Sequence, residues 1–315
     1  MRGHGRLDLL ALFAPWALGC AALVDFPEDP QLVTEVAQAQ LDDPTGANWT
    51  CLTSPAAPRA PKVSLAHVRI LACDALQGCG IPLAGLRGRV CGKLDVDCTN
   101  PLFTGVTDAG GALEFDVPTG RAGFDGYLEL VSPTVPCTDA SLFGPASAQV
   151  CGLLPGCDPQ APDERCRIAP YVRTLQFFNP PIAASFPQPL TLTIISSPAL
   201  MGLVRASGSD FDPGSGHVLV TALDCDGTPA SGVAYDMRQG AGQVLKMYME
   251  SGVLTRARSE TDATGMGGFS FVPPGFVDVA AYNSSGVRVG SVGVVAAPFT
   301  LTSTVLVPAG TPAGD

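Results

Sequence analysis

Carboxylates at alternate positions are what a hard cation such as Ca2+ recruits, and two turns of this chain carry them. Asp210 and Asp212 stand in D-F-D-P-G, and Asp224 and Asp226 in D-C-D-G. Both are incomplete calcium candidates, because neither has the full D-x-[DN]-x-[DN]-G spacing or a later bidentate Glu. Asp226-Gly227 reads more simply as a hairpin turn. Two histidines, His67 and His217, stand before the first strand of two similar stretches, where a pH switch, a metal ligand or a repeated surface residue are the readings to separate. Acid-base catalysis has little else to draw on. There is no G-x-S-x-G elbow, and a Ser-His-Asp arrangement would have to bridge the two stretches. No catalytic residue and no cofactor is expected, and a hydrolase would need a carboxylate pair that the sequence does not announce.

The cysteines number 11, an odd count that asks for an explanation in an exported chain. Setting Cys20 aside leaves Cys51, Cys73, Cys79, Cys91, Cys98, Cys137, Cys151, Cys157, Cys166 and Cys225, all of which are disulfide candidates. Close spacing favours Cys91 with Cys98 and pairs within residues 137–166, while the full connectivity is open. No C-x-x-C occurs and no histidine is interleaved, so zinc-ligand spacing is absent.

Cys20 has its own role. Arg2 and Arg6 precede an apolar run over residues 9–19, too short for a membrane-spanning helix, and the cysteine follows small Gly19: a secretory signal over residues 1–19. Ala17-Leu18-Gly19-Cys20 resembles the lipobox of bacterial lipoproteins, with Ala17 and Leu18 in the reverse of the usual order. That resemblance implies cleavage before Cys20, diacylation of its thiol and a membrane contact through the lipid. An ordinary cleaved signal near the same place is the other reading. Residues 20–65 then form the lipidated cysteine and a tether stiffened by Pro55, Pro58 and Pro61. Trp49 and Cys51 interrupt it, and both are expected to dock on the first domain.

Composition narrows the partners. With 29 acidic against 18 basic residues and a net charge of −11, the chain lacks the cationic surface that nucleic-acid binding needs. At 315 residues and 46% hydrophobic composition there is material for about two domains with real cores.

The elements that position these residues come from a repeat. Residues 107–120, T-D-A-G-G-A-L-E-F-D-V-P-T-G, return as residues 261–275, T-D-A-T-G-M-G-G-F-S-F-V-P-P-G. Each is an Asp/Gly turn followed by a short alternating strand that stops at a Pro-x-Gly corner. Upstream, P-L-A-G-L at 82–86 answers P-A-S-G-V at 229–233. Downstream, the strands over 171–180 and 190–195 answer those over 287–298 and 299–307. The second unit is one residue longer from Thr to Pro, which predicts a β-bulge. Residues 134–169 read as a disulfide-rich insert in the first copy, residues 237–260 as an added hairpin edge in the second, and Ser197-Pro198 opens a short helix between them.

This scheme resembles the carboxypeptidase regulatory-like, or transthyretin-like, domain. The resemblance rests on residues 82–86, 107–120, 229–233 and 261–275. It implies an all-β chain of two tandem seven-stranded Greek-key β-sandwiches with a short linking helix, over 66–197 and 198–308, followed by a tail at 309–315. The peptidase's H-x-x-E pair is missing, since His67 is followed by V-R-I and His217 by V-L-V. The expected function is a non-enzymatic, lipid-anchored structural or binding module of the cell envelope, on the periplasmic or outer face of an outer membrane. Its partner would be another envelope protein or a glycan. Glycan binding as the main function would need exposed aromatic platforms, with Trp49 the first candidate.

Overall fold

The computed structural model describes residues 44–53, 63–137, 151, 166–206, 212–238 and 244–309. The signal, Cys20, Asp210 and Cys157 lie outside the described residues, as do most of the insert and the end of the tail. The chain is all-β. In the first half the strands are β1 (Leu65–Asp74), β2 (Gly78–Pro82), β3 (Arg87–Gly92), β4 (Phe103–Val106), β5 (Ala112–Pro118), β6 (Gly126–Val131), β7 (Val135–Pro136), β8 (Arg167–Ile168), β9 (Arg173–Phe177) and β10 (Leu190–Ile194). Helix α1 (Ser197–Ala206) follows. The second half adds β11 (Gly216–Ala222), β12 (Ala234–Arg238), β13 (Leu245–Glu250), β14 (Val253–Thr255), β15 (Met266–Val272), β16 (Gly275–Tyr282), β17 (Arg288–Ala296) and β18 (Thr300–Leu306). Among the described residues no helix is long and apolar enough to cross a membrane.

Both halves are wired alike. In the first, β1 lies between parallel β10 and antiparallel β5, and β6 lies between β3 and β9. In the second, β11 lies between parallel β18 and antiparallel β15, and β16 lies between β12 and β17. The halves differ in what they add. Segment 93–111 supplies β4, which pairs with β3. Its counterpart supplies the β13–β14 hairpin, which crosses to the other sheet and pairs with β15, as the widened sequence predicts. The predicted bulge falls at Phe271, skipped between the pairs Gly216–Val272 and His217–Ser270 and held at φ 59°.

The sequence does not foretell how the halves join. β18 pairs in parallel with β9, Thr300 opposite Arg173 through Ser303 opposite Gln176. This fuses one sheet of each half into a single nine-stranded sheet, β14-β13-β15-β11-β18-β9-β6-β3-β4. Alternation then sends neighbouring side chains of β6 into different cores. Leu128 and Leu130 join Val68, Ile70, Phe115 and Val117 in the first, while Tyr127 joins Leu175, Phe177, Val220, Phe269 and Val294 in the second. Tyr127 stacks on Phe177 at 4.9 Å between ring centroids. Helix α1 covers the reverse side of the second half's sheet, with Leu200 packed among Val172, Ile195 and Leu301.

Residues 44–53 correct one expectation. Trp49 is fully buried in the second core, together with Ala230 and Val233, and Cys51 is bonded to Cys225 rather than to a cysteine of the first domain. The reason is complementarity with the Asp224–Thr228 turn, whose Cys225 N–H donates to the Asn48 carbonyl at 2.8 Å.

Candidate functional site

The repeated T-D-x-x-G unit is the first place to look for chemistry, and its polar groups are all engaged in building the fold. The Thr107 hydroxyl donates to the Leu83 carbonyl at 2.7 Å and accepts the Leu86 N–H at 2.9 Å. Thr261 does the same with Ala230 at 2.7 Å and Val233 at 3.0 Å. Asp108 caps its own turn by accepting the Gly110 and Ala112 N–H groups, and Asp262 accepts the N–H and hydroxyl of Thr264. Gly111 and Gly265 then pass beneath the first strand of each half at φ 73° and 65°. A Cβ there would meet the Ala72 and Ala222 carbonyl oxygens at 2.6 and 2.5 Å. The unit is a staple that ties the P-x-x-G turn to the strand behind it, made twice.

The calcium candidates among the described residues, Asp212, Asp224 and Asp226, are similarly engaged. Burial would raise the Asp224 pKa, but N–H groups of Asn48, Thr228 and Asp226 outweigh it and hold the carboxyl below the usual range. Asp226 accepts the Asn48 side-chain amide at 3.0 Å. The Ser215 hydroxyl and the Gly214 N–H lower the Asp212 pKa. These groups clamp turns and the 44–53 segment. Among the described residues no group of three or more His, Cys, Asp or Glu side chains is arranged to hold a metal.

The two histidines occupy matching positions within β1 and β11, and there the likeness stops. His67 is 53% exposed and faces Asp116 at 3.0 Å. His217 faces Ser270 at 3.0 Å, is only 3% exposed, and leaves Nε2 without a hydrogen-bond partner. A repeated surface residue therefore describes His67 alone. Helix α1 covers the sheet face that carries His217, and burial pushes its pKa down to about 4 against a small opposing pull from Asp212.

The most concentrated charge is one the sequence did not single out. Glu129 is 1% exposed and accepts Arg89 Nε at 2.5 Å and Arg173 Nε at 2.6 Å, while a second Arg89 nitrogen donates to the Cys98 carbonyl. Hydrogen bonding to Glu129 raises the Arg89 pKa. Beside them the Tyr127 hydroxyl donates to the Asp95 carbonyl at 2.6 Å, and burial pushes its pKa up to about 12. All three charged residues lie on the face of β3, β6 and β9 that also carries Cys91, Tyr127, Leu175 and Phe177, and only the strand register brings them together. The cluster braces the sheet beside the β9–β18 seam and presents no free nucleophile or base.

One concavity among the described residues, about 250 Å3, is bounded by Phe178, Pro180, Pro181, Ile182, Phe186 and Val305, and no ionisable side chain lines it. A second, about 30 Å3, lies under α1 among Leu200, Met247 and Leu301, with His217 as its one ionisable group. A carboxylate-based hydrolase has no convergent pair in either. The glycan reading loses its main platform, since Trp49, Tyr127, Tyr235 and Tyr248 are buried and the half-exposed Phe276 stands outside both concavities.

Cysteines behave as a set. Cys51–Cys225, Cys73–Cys79, Cys91–Cys98 and Cys137–Cys151 are disulfides, and Cys166 is disulfide-bonded as well.

No protein-family model matches the chain, and no curated protein matches it. Among solved structures it is similar to the Bacillus anthracis TIE protein, at 12% identity over 78% of this chain and 34% of that one, with a TM-score of 0.23. It is also similar to the shaft pilin SpaA from Lactobacillus rhamnosus GG, at 10% identity over 80% of this chain and 99% of that one, TM-score 0.23. BcpA, the major pilin subunit of Bacillus cereus, matches at 9% identity over 77% and 69%, TM-score 0.20. The chain spans about a third of the length of the TIE protein. At these scores the superpositions place no residue and assign no activity.

Proposed function

We propose that the chain is a non-enzymatic, exported protein of the cell envelope, anchored by lipid at Cys20, whose two carboxypeptidase regulatory-like halves form a structural or binding module. The observation that carries this reading is the state of the thiols. Every cysteine among the described residues is in a disulfide, which suits an oxidising compartment and not the cytosol. The architectural use of the repeated motif supports the non-enzymatic part, because the residues that recur are engaged in turns and staples. A diacylated cysteine supplies two acyl chains, enough for stable anchoring where one would be marginal. The membrane face is the periplasmic or outer side of an outer membrane, and the partner is another envelope protein.

Intact-mass measurement of the membrane-extracted protein, before and after reduction, tests this. The expected species begins at Cys20, carries acyl mass, and gains two hydrogens per bridge on reduction. An unacylated start would remove the anchor, and several free thiols in the native protein would remove the export argument.

A further inference from the structure

The chain visits the second half before it builds the first. Within residues 44–53 the Thr45 hydroxyl donates to the Ser231 carbonyl at 3.0 Å. The Asn48 N–H donates to Asp224 at 3.2 Å, and its side-chain amide reaches Asp226. Trp49 is buried in the second core and Cys51 closes onto Cys225. This strap has a covalent consequence. The two cysteines are 174 positions apart, so β1 through β10, α1 and β11 all lie inside one closed loop. Along the covalent chain, tension applied before Cys51 and after Cys225 passes through the sulfur–sulfur bond and reaches that loop only through non-covalent contacts such as the pairing of β18 with β9 and β11.

We propose that the strap gives the chain a mechanical function: it routes covalent load from Cys51 directly to Cys225 and on through β12 to β18, and leaves the backbone of the first half and of β11 outside the load path. This rests on the anchored reading only for the source of the pull, since a lipid at Cys20 places the load on the N-terminal side of Cys51. The routing also reverses the order suggested by the sequence, in which the first sandwich follows the tether and would take the load first. The short bridges Cys73–Cys79, Cys91–Cys98 and Cys137–Cys151 all fall within the spared loop. They contribute to folding there and never limit extension.

Single-molecule force spectroscopy on the delipidated chain, held by handles at its two ends, decides the matter without requiring the lipid. In the oxidised protein the fully extended length should lack the contribution of the loop, and no unfolding step of the first half should occur. The double variant Cys51→Ser/Cys225→Ser should extend further by about 500 Å, at roughly 3.3–3.6 Å per residue with the short bridges intact. Full reduction of the wild type should add about 600 Å by the same measure. Final length does not depend on how well the variant folds. Equal extension of oxidised wild type and variant, or first-half unfolding steps in the oxidised wild type, would overturn the proposal. Acyl mass at Cys20 is a separate measurement, so loss of the anchor and loss of the load path are distinguishable.

Discussion

His217 Nδ1 lies 3.0 Å from the Ser270 hydroxyl across β11 and β15, with the ring sealed from solvent and its other nitrogen unpartnered. The folded protein therefore holds this imidazole neutral, its pKa moved by burial from 6.5 to about 4. The unfolded chain binds a proton as pH falls through about 6.5 and the folded chain does not until about 4. Stability contributed by the neutral ring is thus present at pH 7, is lost progressively between those values, and levels off below. The shift corresponds to roughly 3 kcal/mol. Urea denaturation of wild type and His217→Asn between pH 7 and 4.5 should show the wild type losing stability more steeply. Parallel profiles would mean that the ring is hydrated in the folded state.

Thr107→Val and Thr261→Val each keep the shape of the staple and remove its hydroxyl. A buried carbonyl and a buried N–H lose their partner, which costs about 1–3 kcal/mol. Thr→Ser at either site should recover most of it. Denaturation midpoints of the four variants provide the check, and equal losses at 107 and 261 are expected because the bonds are the same in both halves.

Gly265→Ala and Gly111→Ala should be more damaging than Gly227→Ala. All three positions have left-handed backbone, at φ 65°, 73° and 76°, which costs an L-residue about 1–2 kcal/mol. A methyl at 265 or 111 would also sit 2.5 or 2.6 Å from a backbone carbonyl oxygen that cannot move aside, whereas nothing lies within 4 Å at 227. Thermal unfolding ranks the three, and a Gly227→Ala loss as large as the others would count against the close approach.

Removing the carboxylate by Glu129→Ala leaves two guanidinium groups facing each other beside the β9–β18 seam. The cost should be roughly 3 kcal/mol, at the low end for a broken buried pair because both arginines are about a third exposed. Hydrogen exchange should accelerate first in β9 and β18, since Arg173 pairs with Thr300. The triple change Glu129→Ala/Arg89→Met/Arg173→Met should be less destabilised than Glu129→Ala alone. Uniform acceleration across both halves would show that the cluster does not brace the seam.

Much of the fold was legible because its causes are local. Alternation marked the strands, Pro-x-Gly marked their ends, and one extra residue between Thr261 and Pro273 announced the bulge at Phe271. Ser197-Pro198 announced α1, and the apolar positions around Met247 and Val253 announced the added hairpin. The candidate site was less legible. His67 and His217 look equivalent in sequence, yet only one has a helix laid over it, and Glu129 reads as an ordinary outward strand residue until the register places Arg89 and Arg173 against it.

The sequence by itself determined that the chain is all-β, that one strand order is used twice, and where the turns lie, since those depend on side-chain period and on residues within a few positions of each other. Only the tertiary structure decided that β9 and β18 fuse the halves into one sheet and that Cys51 and Trp49 belong to the second half. Those choices depend on which edges and cavities remain open after each half has closed, a property of surfaces brought together from positions as far apart as 51 and 225, and no local pattern encodes it.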